Sequence, residues 1–245
     1  MSVRELGALS GTAEAADGWL PGSAMLDPDV LRTALRSHER LWKAPEHVAA
    51  ALWWKAYTYW VALEPATRWM RTGTGAEVGL DHVELQLDSD LRCVRLRPPG
   101  GRGTPPPAAL ADAEEGLSAL VEAVVVRHLE PVGRTLADVT RLGARGMWGS
   151  IMSGLAWALL DDDTATLADV ERLLDAVPCP YGRLVDPAEL VSADGAAKPY
   201  PLRRTCCFYY QVPGGQVCLT CPLLSDAQRD EITAPGGQHI RRPCS

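Results

Sequence analysis

The sequence predicts an α+β fold that is mainly helical, with a small antiparallel β element and a cysteine-rich C-terminal segment. Apolar residues recur every three or four positions over much of the chain, and proline or polar residues mark several helix starts. One stretch, residues 82–96, instead alternates apolar and polar residues, which is typical of strands. With 245 residues, 47% of them hydrophobic, the chain can bury a core without disulfides.

The N-terminal region, residues 1–97, is predicted to contain helices followed by a β-hairpin. Asp27 and Pro28 are typical of a helix N-cap and a first helical position, and Pro45 opens a second helix. Tryptophans are dense in these helices, and an aromatic stripe at helical spacing is more often core than a ligand site. The alternating residues 82–96 then form the hairpin.

A Pro/Gly-rich stretch, residues 98–107, is interpreted as a linker because neither a helix nor a sheet interior accommodates it. Residues 108–200 are predicted to be a second helical region, although its last part, 177–201, is expected to be largely irregular. The helices expected there are 108–129, a continuation from residue 130, 147–160 and 164–176. Residues 201–245 hold the cysteine-rich segment and a polar tail.

The charge and the termini restrict the function. A net charge of -7 argues against nucleic acid as the main partner, because phosphate binding needs a basic surface. The N-terminus lacks the apolar core of a signal peptide, and the longest uncharged run, residues 146–160, is too short for a transmembrane segment. We therefore expect a cytoplasmic protein, in which clustered cysteines indicate metal ligands or redox groups rather than disulfides.

Cys206, Cys207, Cys218 and Cys221 form the pattern C-C-x10-C-x2-C. Four thiolates can hold either a structural zinc ion or an iron–sulfur cluster. Zinc ribbons usually offer two C-x-x-C knuckles, whereas adjacent residues in an extended chain point to opposite sides. The C-C pair therefore suits a tetrahedral ion poorly, and it suits a two-iron cluster, with its separated metals, more easily.

The four-cysteine pattern, preceded by Arg203, Arg204 and Thr205, resembles the FhuF-like ferric-siderophore reductases over residues 202–221. The resemblance implies that the four cysteines bind a 2Fe–2S cluster. A weaker similarity extends back to about residue 117. Members of the family often end soon after the C-x-x-C, whereas this chain continues to a further cysteine, Cys244, whose role the resemblance leaves open.

The resemblance also implies the reaction, which is transfer of one electron to a ferric siderophore, of the hydroxamate type, with release of ferrous iron. Hard oxygen ligands hold ferric iron more tightly than the softer ferrous ion. No Gly-rich phosphate loop follows a strand, so we expect electrons from a ferredoxin- or flavodoxin-type protein. The reaction needs no catalytic acid, base or nucleophile, and we assign none.

Other interpretations remain open at this point. The four cysteines could close a zinc site in a structural or interaction protein, or the cluster could serve a redox sensor. Arg203 and Arg204 either stabilise an anionic cluster or guide an acidic donor, or they are simply solvated charges. Phe208 and the two tyrosines after it are expected to shield the cluster from water. Cys93 and Cys179 are interpreted as structural thiols, and no histidine is assigned to a metal.

Overall fold

A computed structural model describes residues 18–87, 94–99 and 113–242 of the chain. Most of the predicted linker, the tip of the hairpin with Cys93, and Cys244 lie outside the described residues. The helices are α1 (Pro28–Trp42), α2 (Glu46–Thr72), α3 (Ala113–Val121), α4 (Glu130–Val139), α5 (Ala144–Leu159), α6 (Leu167–Ala176) and α7 (Asp226–Thr233). A π-helical segment, Glu122–Leu129, joins α3 to α4. The mainly helical α+β class is therefore confirmed.

Both helix starts predicted near the N-terminus are confirmed. The Asp27 side chain caps α1 by accepting a hydrogen bond of 2.8 Å from the backbone N–H of Asp29. Pro28 occupies the first position of that helix, where its missing N–H has no partner to lose. Pro45 directly precedes α2.

A small sheet forms from β1 (Leu20–Pro21), β2 (Glu84–Leu87) and β3 (Val94–Arg97), in that order and antiparallel throughout. Strands β2 and β3 are the predicted hairpin, with Leu85 opposite Leu96. The alternation of apolar and polar residues therefore predicted the hairpin correctly. Its apolar positions Leu85 and Leu87 lie in the core.

A second antiparallel sheet places β4 (Val185–Val191) between β5 (Ala197–Arg203) and β6 (His239–Arg241). The expectation that residues 177–201 are largely irregular is therefore wrong. The prolines misled this expectation, because Pro187 and Pro201 form a non-hydrogen-bonded pair, in which a backbone N–H would face away from the partner strand. Within the part of the chain that the structure describes, β6 pairs with residues 189–191 and not with Pro187.

The core is built around α2, which packs along α5. Trp53 and Trp54 are buried and each stacks on the buried Tyr57, so these aromatic residues belong to the core as predicted. The indole of Trp54 donates to the carbonyl of Met147 in α5 at 3.0 Å. Among the described helices, none combines the length and apolar composition needed to cross a bilayer.

Candidate metal centre

All four predicted cysteines lie in one loop, residues 204–221, which we call the cysteine loop. The loop begins where β5 ends. The backbone N–H of Arg203 donates to the carbonyl of Thr220 at 3.0 Å, and the N–H of Arg204 donates to the carbonyl of Leu184 at 2.9 Å. These bonds close the loop on itself and fix it to the start of β4, so the C-C pair lies beside the C-x-x-C.

A tight turn returns the chain between the two halves of the cysteine loop. Phe208 adopts a left-handed conformation with φ 59°, directly after the C-C pair. The backbone N–H of Gly215 donates to the carbonyl of Val212 at 2.8 Å, which confirms the turn expected at the Pro-Gly-Gly sequence. Gly215 has no space for a side chain, because an added Cβ would lie 2.0 Å from the carbonyl oxygen of Tyr209.

The four thiols interact in two pairs. Cys206 interacts with Cys221, and Cys207 with Cys218, so the two adjacent cysteines face different partners. Cys207 and Cys221 are buried, while Cys206 and Cys218 are partly exposed. No three His, Cys, Asp or Glu side chains of the described chain are grouped as ligands of one metal ion. Two pairs of thiols suit a two-iron cluster better than a single tetrahedral ion.

The surroundings favour the thiolate form of Cys207. A hydrogen bond from the Cys218 thiol lowers the pKa of Cys207 well below its usual value, and the nearby Arg203 and Lys55 side chains lower it further against the effect of burial. The same hydrogen bond raises the pKa of Cys218. Burial raises the pKa of Cys206, and the neighbouring cysteine sulfurs raise it further. Binding of a metal would release the protons that remain on these thiols, because thiolates are the form that binds metals.

The environment of Arg203 indicates that an anion binds nearby. Its side chain is buried, with the residue only 3% exposed, and its Nη2 donates to the hydroxyl of Ser150 over 3.4 Å. Its Nε and Nη1 atoms have no partner among the described residues. A buried cation without a counter-charge is costly, and a cluster held by four thiolates carries net negative charge. The residues around the cysteines therefore fit such a cluster.

Arg204, which the sequence could not distinguish from Arg203, has a different environment. Its exposed guanidinium forms a salt bridge of 2.5 Å with Asp186 at the start of the second sheet. Its charge is therefore balanced within the protein. The aromatic residues also separate: Phe208 packs with Cys207 against the N-terminal part of α2, whereas Tyr209 and Tyr210 are exposed. Shielding of the cluster by the two tyrosines therefore stays a prediction.

The tail supplies a residue that sequence reasoning missed. Arg229 of α7 is buried and donates to the carbonyls of Cys221 at 2.7 Å and Leu219 at 3.2 Å. It thereby holds the C-x-x-C half of the cysteine loop from outside. The sequence could have predicted this helix, because Ser225 and Gln228 form a capping box at the start of α7.

One comparison with known proteins bears on this loop. Residues 203–223 match the family described as the FhuF 2Fe-2S C-terminal domain. All four cysteines lie in the matched range, which confirms the predicted resemblance and supports a 2Fe–2S cluster as the cofactor. The FhuF match covers the cysteine loop and its flanks but not the helices that support them. No curated protein matches the chain.

Helix α5 approaches the cysteine loop at Gly149, where the Thr205 side chain occupies the space of a missing Cβ. A Cβ at Gly149 would lie 2.0 Å from Thr205 Oγ1 and 2.7 Å from Thr205 Cβ. Because Thr205 is β-branched and stiff, the residue beside Cys206 would have to move as a whole. The close packing of α5 against the loop therefore depends on the glycine.

We predict that Gly149→Ala lowers the free energy of unfolding by about 1–3 kcal/mol, as overpacking does, and reduces the iron bound per chain. Gly146→Ala in the same helix is the matched control, because its nearest contact would be 3.7 Å. Thermal unfolding and iron analysis of both variants measure the difference. Equal stability and iron content in the two variants would show that the Thr205 contact does not hold the loop.

Proposed function

We propose that the protein is a ferric-siderophore reductase in which Cys206, Cys207, Cys218 and Cys221 hold a 2Fe–2S cluster. The observation that carries this proposal is the FhuF match over the loop that contains all four cysteines. The buried Arg203 supports it independently, because two of its donor atoms have no partner among the described residues and its charge already favours the Cys207 thiolate. The bound cluster supplies one electron at a time, and its substrate is a ferric siderophore, as the resemblance implies of the hydroxamate type.

The chain itself would prepare the site for electron transfer. Arg203 offsets the negative charge that the centre gains on reduction. Val48, Leu52 and Val212 pack around Cys207 and exclude water from that side. Arg229 fixes the carbonyl of Cys221, which limits movement of the C-x-x-C half. No side chain needs to act as acid, base or nucleophile. Hard oxygen ligands bind ferrous iron more weakly than ferric iron, so the siderophore releases the iron once it is reduced.

Electrons would come from a separate ferredoxin- or flavodoxin-type protein in the cytoplasm. The sequence contains no phosphate-binding glycine loop after a strand, which argues against direct reduction by a nicotinamide nucleotide. Tyr209, Tyr210, Val217 and Leu223 are exposed in and next to the cysteine loop. Exposed apolar residues at this density suit a transient protein contact close to the proposed cluster.

The first prediction from this proposal concerns composition. Purified anaerobically, the protein should hold about two iron atoms and about two acid-labile sulfides per chain, with visible absorption that dithionite bleaches. Serine in place of any one of the four loop cysteines should remove or alter that absorption. Cys179→Ser is the control and should keep it, since Cys179 lies outside the loop. Stoichiometric zinc in a colourless protein would instead favour a structural zinc site and refute the proposal.

The second concerns the charge of Arg203. Arg203→Gln removes a buried positive charge, so the midpoint potential of the centre should fall by on the order of 100 mV. Arg203→Lys should restore part of that fall, and Arg204→Gln should leave the potential nearly unchanged because Arg204 is exposed and paired with Asp186. Redox titration followed by electron paramagnetic resonance measures all three. Equal shifts in the Arg203→Gln and Arg204→Gln variants would contradict the assigned role.

The third concerns turnover. Protein reduced by dithionite and freed of excess reductant should be reoxidised by a ferric trihydroxamate, with ferrous iron appearing in a chelator trap. NADPH alone should not reduce the protein. Stopped-flow absorption of the cluster follows both reactions. Failure of several ferric siderophores of different chemistry to reoxidise a fully loaded protein would refute the reductase function.

A further inference from the structure

A cavity of about 490 Å³ opens directly against the cysteine loop. We call it the Cys206 cavity, because Cys206 is the proposed cluster ligand in its wall. Its other lining residues include Thr205, Arg204, Arg141 and Arg145. A molecule bound in this space would lie next to a residue that we propose as a cluster ligand, so the distance for electron transfer would be short.

The Cys206 cavity has positive charge that the protein does not balance. Arg204 is neutralised by Asp186, but Arg141 and Arg145 are exposed and form no ion pair with any described carboxylate. Arg145 lies in the first turn of α5, whose N-cap is Gly143. That turn has no acidic residue and no side-chain cap, so its free N–H groups add partial positive charge.

The Cys206 cavity also has an aromatic wall. His47 and Phe208, in edge contact at 5.6 Å, supply it. Thr205 contributes little to recognition, because it is only 7% exposed and its hydroxyl packs against Gly149 of α5.

A second cavity near the loop is a weaker candidate. It has a volume of about 430 Å³, and the residues that line it include Lys55, Tyr59 and Asp161. Its one cation and one carboxylate balance each other, and the Tyr59 hydroxyl already donates to Asp161 at 3.2 Å. No cysteine lines it among the described residues, so the second cavity offers no direct contact with a proposed cluster ligand.

We propose that the Cys206 cavity binds the ferric complex and selects complexes that carry a carboxylate. This inference rests on the proposed reductase function and names its substrate class. Guanidinium groups match carboxylates in geometry and charge. The overall charge of -7 would favour neutral or cationic complexes, but the charge at this cavity has the opposite sign. One electron converts the bound ferric ion to ferrous, the reduced cluster returns to its oxidised state, and no bond to the protein forms or breaks.

The test uses three ferric complexes with the same trihydroxamate iron centre and different tails. Ferrioxamine B carries a free amine and is cationic, its N-acetyl derivative is neutral, and its N-succinyl derivative carries a carboxylate. Since the iron centre is unchanged, any difference in kcat/KM reports recognition of the tail. We expect the kcat/KM of the wild-type protein to be about fivefold higher for the succinyl than for the cationic complex. This is the effect expected of two charge contacts at the protein surface.

The double variant Arg141→Gln/Arg145→Gln should lose this preference. The control Arg32→Gln/Arg172→Gln removes the same charge from exposed faces of α1 and α6 and should retain it. Binding is measured separately by calorimetry with the gallium(III) complexes, which are not reduced. The dissociation constants should show the same order in wild-type protein, and raised salt should reduce the difference.

The outcomes separate this inference from the function on which it rests. Reduction of all three complexes without a charge order, or with an order that survives in the Arg141→Gln/Arg145→Gln variant, overturns the carboxylate-binding site and leaves the reductase. Failure of every complex to oxidise the loaded protein counts against the reductase itself. If the double variant slows only reduction by an acidic donor protein, the two arginines belong to donor docking and the proposal is wrong.

Discussion

The burial of one positive charge beside four thiols is the constraint on which the rest of this structure depends. Arg203 leaves the second sheet and enters the interior with two of its donor atoms unpartnered among the described residues. An uncompensated cation in that position would destabilise the protein by several kcal/mol. Burial of an anionic cluster is unfavourable for the same reason, because the cluster loses the solvation of its charge. Each charge makes the other tolerable, which explains why the arginine and the cysteine loop are neighbours in sequence and in space.

The surrounding elements give that pair a fixed geometry. Thr205 packs against a glycine of α5, and apolar side chains of α2 cover Cys207. An arginine of α7 donates to the carbonyl of Cys221. These supports come from parts of the chain far apart in sequence. The loop contains the chemistry, but its shape is determined by helices outside the region that matches the FhuF domain.

The helices, the first hairpin and the cysteine loop could be predicted from the sequence because their signals are local. Asp27 with Pro28, the alternation around Leu85, and the C-C-x10-C-x2-C spacing each lie within a few residues of one another. The second sheet could not, because its prolines are acceptable only at ladder positions whose backbone nitrogens face away from the partner strand, and the register alone reveals those positions. The different environments of Arg203 and Arg204 also depend on tertiary packing, which no neighbouring residue reveals.

The attachment of the tail has a consequence for biogenesis. Arg229 and β6 are synthesised after all four cysteines, and they hold both the C-x-x-C half of the loop and the sheet from which the loop emerges. The cysteines are therefore synthesised before two of their supports, whereas α2 and α5 precede them. We expect the loop to reach its final shape, and to hold a cluster stably, only after residues 226–241 have folded.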